Sequence, residues 1–289
     1  MIYHVRRNQI NEEKYNDCIS KSIQSRIYAY SWYLDEVADY WSILVLDDYK
    51  AVMPLPSKRK YGLLYVTQPF FTQQLGVFSK KELDEYIIAN FLKKIPKKGI
   101  KIALQFNSQN LFSSRNTIQK RNYILSLDAD YKSLYKGFSK GRKHAIQQGL
   151  KNDFDVEEIQ FSELLLLSKN NYSFKEIPNS EYDKLIKLVK VLQSKNLVKI
   201  IGIKENNVLI GGSVFVLDSH RIIYLLSAVT KAGKDKQVAS LLLNDVIKTY
   251  SNTQKILDFE GSMIPSIASF FKSFGATPET YFLFKKWLW

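Results

Sequence analysis

A single cysteine, Cys18, leaves no partner for a disulfide within the chain and no cluster that could hold zinc. Three scattered histidines, His4, His144 and His220, argue against a His-rich metal site. Long apolar runs are missing too. One of the longest, Ile222 to Val229, falls far short of the roughly 20 residues that cross a bilayer, and the opening MIYHVRRNQINEEK has no apolar signal core. A soluble, non-exported protein of a reducing cytoplasm is therefore expected. Also absent are Gly-x-x-x-x-Gly-Lys-Ser/Thr, Gly-x-Gly-x-x-Gly and His-Glu-x-x-His, so kinase, dehydrogenase and zinc-hydrolase readings have nothing to stand on. No heptad array or internal repeat is visible.

What the chain does have is ordinary globular material, with 45% hydrophobic and 24% charged residues over 289 positions, enough for one large domain or two of about 130 to 150 residues. Its net charge of +14 is unevenly spread. Between Tyr131 and Lys151 stand six basic residues (Lys132, Lys136, Lys140, Arg142, Lys143, Lys151) and no acid. A basic excess gathered in one segment points to an anionic partner such as phosphate, nucleotide or RNA, against the alternative of a solvated lysine-rich face.

Hydrophobic periodicity alternates strands with helices, the signature of an α/β (mixed α+β) chain. The first half reads as strands at Ile2 to Val5, Trp41 to Asp48, AVMPLPSK and Ile100 to Phe106, with LLYVTQPFF following AVMPLPSK, and helices at Glu12 to Ser22, Trp32 to Ala38 and Lys80 to Lys93. A polar loop, NSQNLFSSRNTIQKRN, leads to strand Tyr123 to Leu127, then to the basic segment 131–151, expected as one helix. Helices at Ser162 to Asn170 and Glu181 to Ser194 precede three strands in hairpin succession, VKIIGIK, VLIGGSVFVLD and RIIYLLSAV. Helix Gln237 to Tyr250, strand KILDFEG, helix IPSIASFFKSFG and strand TYFLFKK close the chain. The expected division is a first domain over 1–122 and a second over 123–289, each a mixed, mostly antiparallel sheet flanked by helices.

The order in the second half resembles the core of the GNAT acyltransferase fold, and LDFEGSMIPSIASFFKSFGATPETYFLFKK is similar to the segment that closes the GNAT-like domain of the FemAB-type (methicillin-resistance-protein-like) family. YKSLYKGFSKGRKHAIQQGL resembles that family's basic helix between the halves, and QPFFTQQLG its Pro, aromatic and Leu-Gly pattern. The resemblance implies two tandem GNAT-like domains and transfer of an acyl or aminoacyl group to an amine, typically of a peptidoglycan precursor. It implies acyl-CoA or aminoacyl-tRNA as donor, with no permanently bound cofactor, and hence tRNA as one partner. The acceptor would be an anionic small molecule or a lipid- or nucleotide-linked precursor, and a monomer is expected. In an ordinary GNAT domain backbone N–H groups of Arg/Gln-x-x-Gly-x-Gly/Ala hold the donor pyrophosphate. The matching stretch here starts at Lys234 and keeps Ala239, but has Gln237 where Gly is usual; Gly233 is one residue outside the motif.

Amide-forming transfer needs a neutral amine, an oxyanion site and proton routes, but neither a metal nor a covalent nucleophile. Glu260, at the end of KILDFEG, is the candidate base, with Asp258 two residues earlier able to share the role; helix capping is the alternative for Glu260, and Ser262 reads as an N-cap near the substrate. Arg142, Lys143 and Lys140 are candidate phosphate clamps, their helix weakened by Gly137 and Gly141. Lys272 matches the family's Phe-Lys step, which the resemblance places near the donor. Tyr224 and Ser227, on RIIYLLSAV, are candidate cleft residues, and Trp32, Tyr65, Gln73 and Gln74 could line an acceptor site. The reading from another class is a non-catalytic RNA- or nucleotide-binding protein with a degenerate donor site, as the missing Gly at 237 would produce. A third is an acyl-CoA-dependent enzyme acting on a sugar amine.

Overall fold

The computed structural model of the chain describes residues 1–96, 101–171, 177–261 and 263–287. In chain order the elements are β1 (Ile2–Arg6), α1 (Glu12–Ser20), α2 (Ser31–Val37), β2 (Tyr40–Leu46), β3 (Ala51–Lys60), β4 (Leu63–Thr67), β5 (Phe78–Ser79), α3 (Glu85–Lys94), β6 (Lys101–Phe106) and β7 (Thr117–Ser126). There follow α4 (Tyr131–Lys136), α5 (Lys140–Leu150), β8 (Glu157–Glu158), α6 (Phe161–Asn171), α7 (Asn179–Ser194), β9 (Val198–Glu205), β10 (Val208–Leu217) and β11 (Arg221–Val229). The chain closes with α8 (Lys231–Asp235), α9 (Val238–Tyr250), β12 (Ile256–Asp258), α10 (Pro265–Lys272) and β13 (Thr277–Trp287). Among the described residues no helix is long and apolar enough to cross a membrane.

Helix starts follow the local chemistry. Side chains of Asn11, Asp84, Asp130, Ser139 and Thr230 each accept a hydrogen bond from the backbone N–H three residues on, satisfying a donor that the first turn leaves open. In α1 the buried Tyr15, Cys18 and Ile19 recur at helical spacing, while Glu12 and Glu13 occupy the positive end of the helix dipole.

The chain forms two compact units: residues 1–120, 179–188 and 280–289, and residues 121–178 and 189–279. The end of the chain thus belongs to the first unit, although the sequence pattern groups it with the second half. Unit 1 has strand order β1-β2-β3-β4-β6-β13, with β5 on β3; β4 and β6 run parallel and the other neighbours antiparallel. Leu44, Met53, Ile88, Phe91, Phe106 and Phe284 form its core. In unit 2 the order is β7-β12-β11-β10-β9-β8, with only the β11–β12 pair parallel. Its core gathers Tyr123, Phe215, Leu242, Val246, Phe259, Phe271 and Phe274, with Phe259 stacked on Phe271 at 4.9 Å between ring centroids.

The basic segment departs from the expected single helix. Gly137 ends α4 as its C-cap, and Ser139 caps a separate α5 after donating its backbone N–H to Ser273 O. Gly141 then falls in the first turn of α5, where the glycine penalty is small, and Gly149 allows the close approach of Leu241 on α9. No ligand is needed to account for these glycines.

Cys18 is fully buried, 3.8 Å from Phe78 O, and burial pushes its thiol pKa up to about 11. Native protein at neutral pH should resist a thiol reagent and release the full equivalent only on denaturation. Rapid native labelling would contradict this placement.

Candidate functional site

In unit 2, β11 and β12 pair only over Arg221–Ile256, Ile222–Leu257 and Ile223–Asp258. From Tyr224 to Val229 that edge of β11 has no strand partner among the described residues, so backbone N–H and C=O groups there make no ladder bonds on that side. A bulge refines it. Val214 pairs with Leu226 but Phe215 with Tyr224, which leaves Leu225 as the extra residue. Without that insertion Tyr224 and Ser227, three apart, would point to opposite faces of the sheet; with it they share the face of Phe215 and Ser213. Ser213 Oγ donates to Ser227 Oγ at 3.1 Å, and the Tyr224 ring lies tilted against Phe215 at 5.3 Å and makes a T-shaped pair with Phe271. Burial raises the Tyr224 pKa, and hydrogen bonds from Ser227 and Ser213 work against that rise, so the phenol stays protonated at neutral pH.

Downstream of β11 the chain turns into α8 and α9. Thr230 caps α8 through Gly233 N–H at 3.0 Å. A Cβ at Gly233 would lie 2.2 Å from Ile210 O, so this glycine serves packing on β10 and does not substitute for a ligand-facing glycine. Lys234 is exposed and Ala239 half-buried in the first turn of α9. Gln237 has φ 62° and ψ 26°, the left-handed backbone that glycine adopts most easily. The turn is therefore shaped as a glycine would shape it, with a side chain added.

Arg142 comes to this helix start from α5. Its Nε donates to Ser273 Oγ at 2.9 Å and its Nη1 to Ser240 Oγ, while its guanidinium lies 4.3 Å and 4.6 Å from the ring centroids of Phe270 and Phe274. It is not the freely projecting clamp expected from sequence. It is half-buried, no carboxylate pairs with it among the described residues, and burial pushes its pKa down to about 10. Lys143 Nζ turns back to Lys136 O at 2.8 Å, and Lys140 is exposed. Lys272 stands elsewhere on α10, its Nζ 5.6 Å from the Tyr123 ring, on a cavity of about 280 Å³ also lined by Arg121, Met263, Pro265 and Ser269. The structure therefore joins Arg142 to the start of α9 and the end of α10, while Lys272 Nζ lies toward Tyr123.

Glu260 is in the left-handed region at φ 56°, followed by Gly261 at φ 59°. A Cβ on Gly261 would lie 2.3 Å from Arg121 O, which requires glycine there, and Glu260 N–H donates to Asp258 Oδ1 at 2.9 Å. Strained backbone held by its surroundings is common at working sites. Asp258, by contrast, cannot share a base role. It is buried, its Oδ2 is 2.7 Å from Arg221 Nη1, and its Oδ1 accepts from Asn122 Nδ2 at 2.9 Å. The first helical residue of α10 is Pro265, with Ile264 as an N-cap whose own side chain makes no cap bond; Ser262 lies outside the described residues.

Unit 1 has the same parallel strand pair, β4 beside β6, but its opening is filled. Beyond Thr67–Ala103, Gln68 N–H donates to Ala103 O, Gln68 Oε1 accepts from Gln105 N–H, and Leu75 N–H donates to Gln105 O at 2.8 Å. Gln73 and Gln74 are buried, and Gln74 Oε1 accepts from Ser108 N–H at 3.1 Å. These glutamines stitch the loop. Sequence reasoning missed Ser240, Ser273, Arg221 and Glu279, since nothing in their spacing marks them.

No protein-family model and no curated protein sequence matches the chain. Solved structures do. The crystal structure of FemX aligns with a TM-score of 0.67 at 12% identity, covering 94% of this chain and 96% of FemX. A tandem GNAT protein from the clavulanic acid biosynthesis pathway, solved without AcCoA, aligns at 0.56 with 9% identity over 100% and 99%. The structure of L-PGS from Bacillus licheniformis aligns at 0.55 with 14% identity over 94% and 90%. The chain has the tandem GNAT-like, FemAB-type fold of these proteins.

Proposed function

We propose that the chain is an acyltransferase that moves an N-acyl or aminoacyl group to an amine, with its donor along the unpaired half of β11 in unit 2. The observation that carries this is Arg142, a half-buried guanidinium without a carboxylate partner, fixed by Ser240 at the first turn of α9. A helix N-terminus favours anions, and a preplaced cation beside it favours a phosphate-bearing donor. Acyl-CoA and the 3′ end of aminoacyl-tRNA both bring phosphates. The likeness to a tandem GNAT protein solved without AcCoA favours the first; the resemblance to the FemAB-type family favours the second, with a peptidoglycan precursor as acceptor.

In this reading the amine nitrogen attacks the donor carbonyl, forming a C–N bond as the C–S or C–O bond of the donor breaks. Glu260 takes the amine proton directly or through water. Tyr224, kept protonated by burial, gives a proton to the departing thiolate or alkoxide, with Ser213 and Ser227 orienting its hydroxyl. Exposed β11 backbone N–H groups polarise the carbonyl. Lys143, Lys140 and Lys234 add positive potential around the donor, and Lys272 its own cavity.

The test is calorimetric titration with acetyl-CoA and with CoA at two salt concentrations, followed by aminoacyl-tRNA. Saturable, salt-sensitive binding of one donor is expected, and neither binding would overturn the proposal. Gln237→Gly sharpens it. Relieving a left-handed glutamine should stabilise the fold by about 1 kcal/mol, and opening the turn should tighten donor binding. Tighter folding with unchanged donor affinity would remove the donor phosphate from this turn. Saturable binding with no transfer to any amine would favour the non-catalytic reading, for which the side chain at 237 is the supporting feature.

A further inference from the structure

The β3–β4 hairpin of unit 1 carries chemistry that the transfer reaction does not use. Its turn is Tyr61-Gly62, with φ 52° and 75°, the paired positive values of a tight two-residue hairpin. Tyr61 is 88% exposed and Leu63 45% exposed, and Lys58, Arg59 and Lys60 precede them without an intervening acid. The strand register extends this chemistry sideways. Lys58 pairs with Tyr65, Tyr65 with Lys101, and Lys101 with Trp287, so these four side chains form one row across β3, β4, β6 and β13 on a single face. Trp287 is 45% exposed. Lys285, two residues before Trp287, shares that face. The segments 58–65, 101–106 and 281–287 contain no Asp or Glu.

We propose that this basic and aromatic face of unit 1 docks on an anionic phospholipid surface. Lysines at a membrane surface are attracted by anionic headgroups, and Tyr, Trp and Leu projecting beside them enter the interfacial layer. The alternative partner for basic residues interleaved with aromatics is single-stranded RNA, which needs open ring faces on which bases stack. Here Lys60 Nζ sits 5.3 Å over the Tyr61 ring and Lys101 Nζ 4.7 Å over the Trp287 ring, so an ammonium occupies one face of each. With one face of each ring taken and the apolar Leu63 exposed on the same hairpin, the patch suits lipid better than bases. The inference stands independently of the transfer reading, since no residue assigned to the donor site takes part.

The test is sedimentation of the full chain with vesicles of phosphatidylcholine alone and of phosphatidylcholine containing phosphatidylglycerol, at low and physiological salt. Binding to the anionic vesicles only, weakening with salt, is expected. Each lysine near such a surface contributes about fivefold to partitioning, so Lys58→Gln with Lys60→Gln should weaken it by about 25-fold and the double change to Glu by more. Tyr61→Ser with Leu63→Ser should weaken it at least about tenfold at either salt. All four positions are exposed, and unchanged thermal melts will show that the fold is kept. The proposal is overturned if the wild-type chain ignores anionic vesicles, if it binds neutral ones equally, or if the variants bind as well as wild type. It is also overturned if the variants lose binding to a single-stranded RNA oligonucleotide but not to vesicles.

Discussion

Asp258→Ala is expected to lower the unfolding free energy by about 3 to 5 kcal/mol. Arg221 Nη1 lies 2.7 Å from Asp258 Oδ2, and its Nη2 lies 2.7 Å from Glu279 Oε1. Asn122 Nδ2 bridges the two acids, at 2.9 Å from Asp258 and 3.0 Å from Glu279. The Arg221 and Asp258 side chains are only 7% and 2% exposed. Burial alone would disfavour the arginine's charge, but Asp258 and Glu279 outweigh it and hold its pKa above the ordinary value. Removing Asp258 leaves Arg221 and Asn122 to share Glu279 alone and takes the acceptor from Glu260 N–H, in a place water does not reach, which is the costly direction of change. The network also ties together β7, β11, β12 and the start of β13, the strands that frame the opening. Asp258→Asn keeps the shape and one acceptor, and should lose about half as much. Urea unfolding with an unchanged slope is the measurement, and an alanine variant within about 1 kcal/mol of wild type would show that the network contributes little.

Glu260→Gln is expected to lower turnover by about 100-fold to 10,000-fold while donor affinity stays near that of wild type. The glutamine keeps the size and the backbone bond to Asp258 but cannot take the amine proton. Its rate should also lose any dependence on the ionisation of Glu260. Tyr224→Phe removes the proton that would stabilise the leaving group, and its loss should be largest for donors with poor leaving groups. Transfer of a labelled acyl group to an amine acceptor, with affinity measured separately, distinguishes the two losses from impaired binding. Full turnover by Glu260→Gln would end its assignment as base and return Glu260 to a turn-forming role.

The mixed α/β class and most elements were legible in the sequence because helical and strand periodicity report local conditions; the tandem GNAT-like architecture came from the resemblance that LDFEGSMIPSIASFFKSFGATPETYFLFKK and the order of the second half carry. The three-strand succession of β9, β10 and β11 is legible for the same reason, since hairpins pair neighbours in sequence. Glu260 at a strand end could also be picked out, but not its left-handed backbone.

Charge partners could not be read that way. Arg142 and Asp258 each sit in a sequence that reads equally well as a functional site, yet one is an arginine without a carboxylate and the other is locked to Arg221. Their partners lie 131 and 98 residues away for Arg142, and 37 and 136 for Asp258. The filled opening of unit 1 is likewise a matter of where Gln68 and Leu75 return alongside β6, and the row from Lys58 to Trp287 exists only once strands from opposite ends of the chain lie side by side. Periodicity records which side of an element is dry, so the sequence by itself determined the elements and their likeness to a fold. The pairing of strands and buried charges depends on long-range closure, so only the tertiary structure decided which strand edge is left unpaired and which charged groups are locked in pairs.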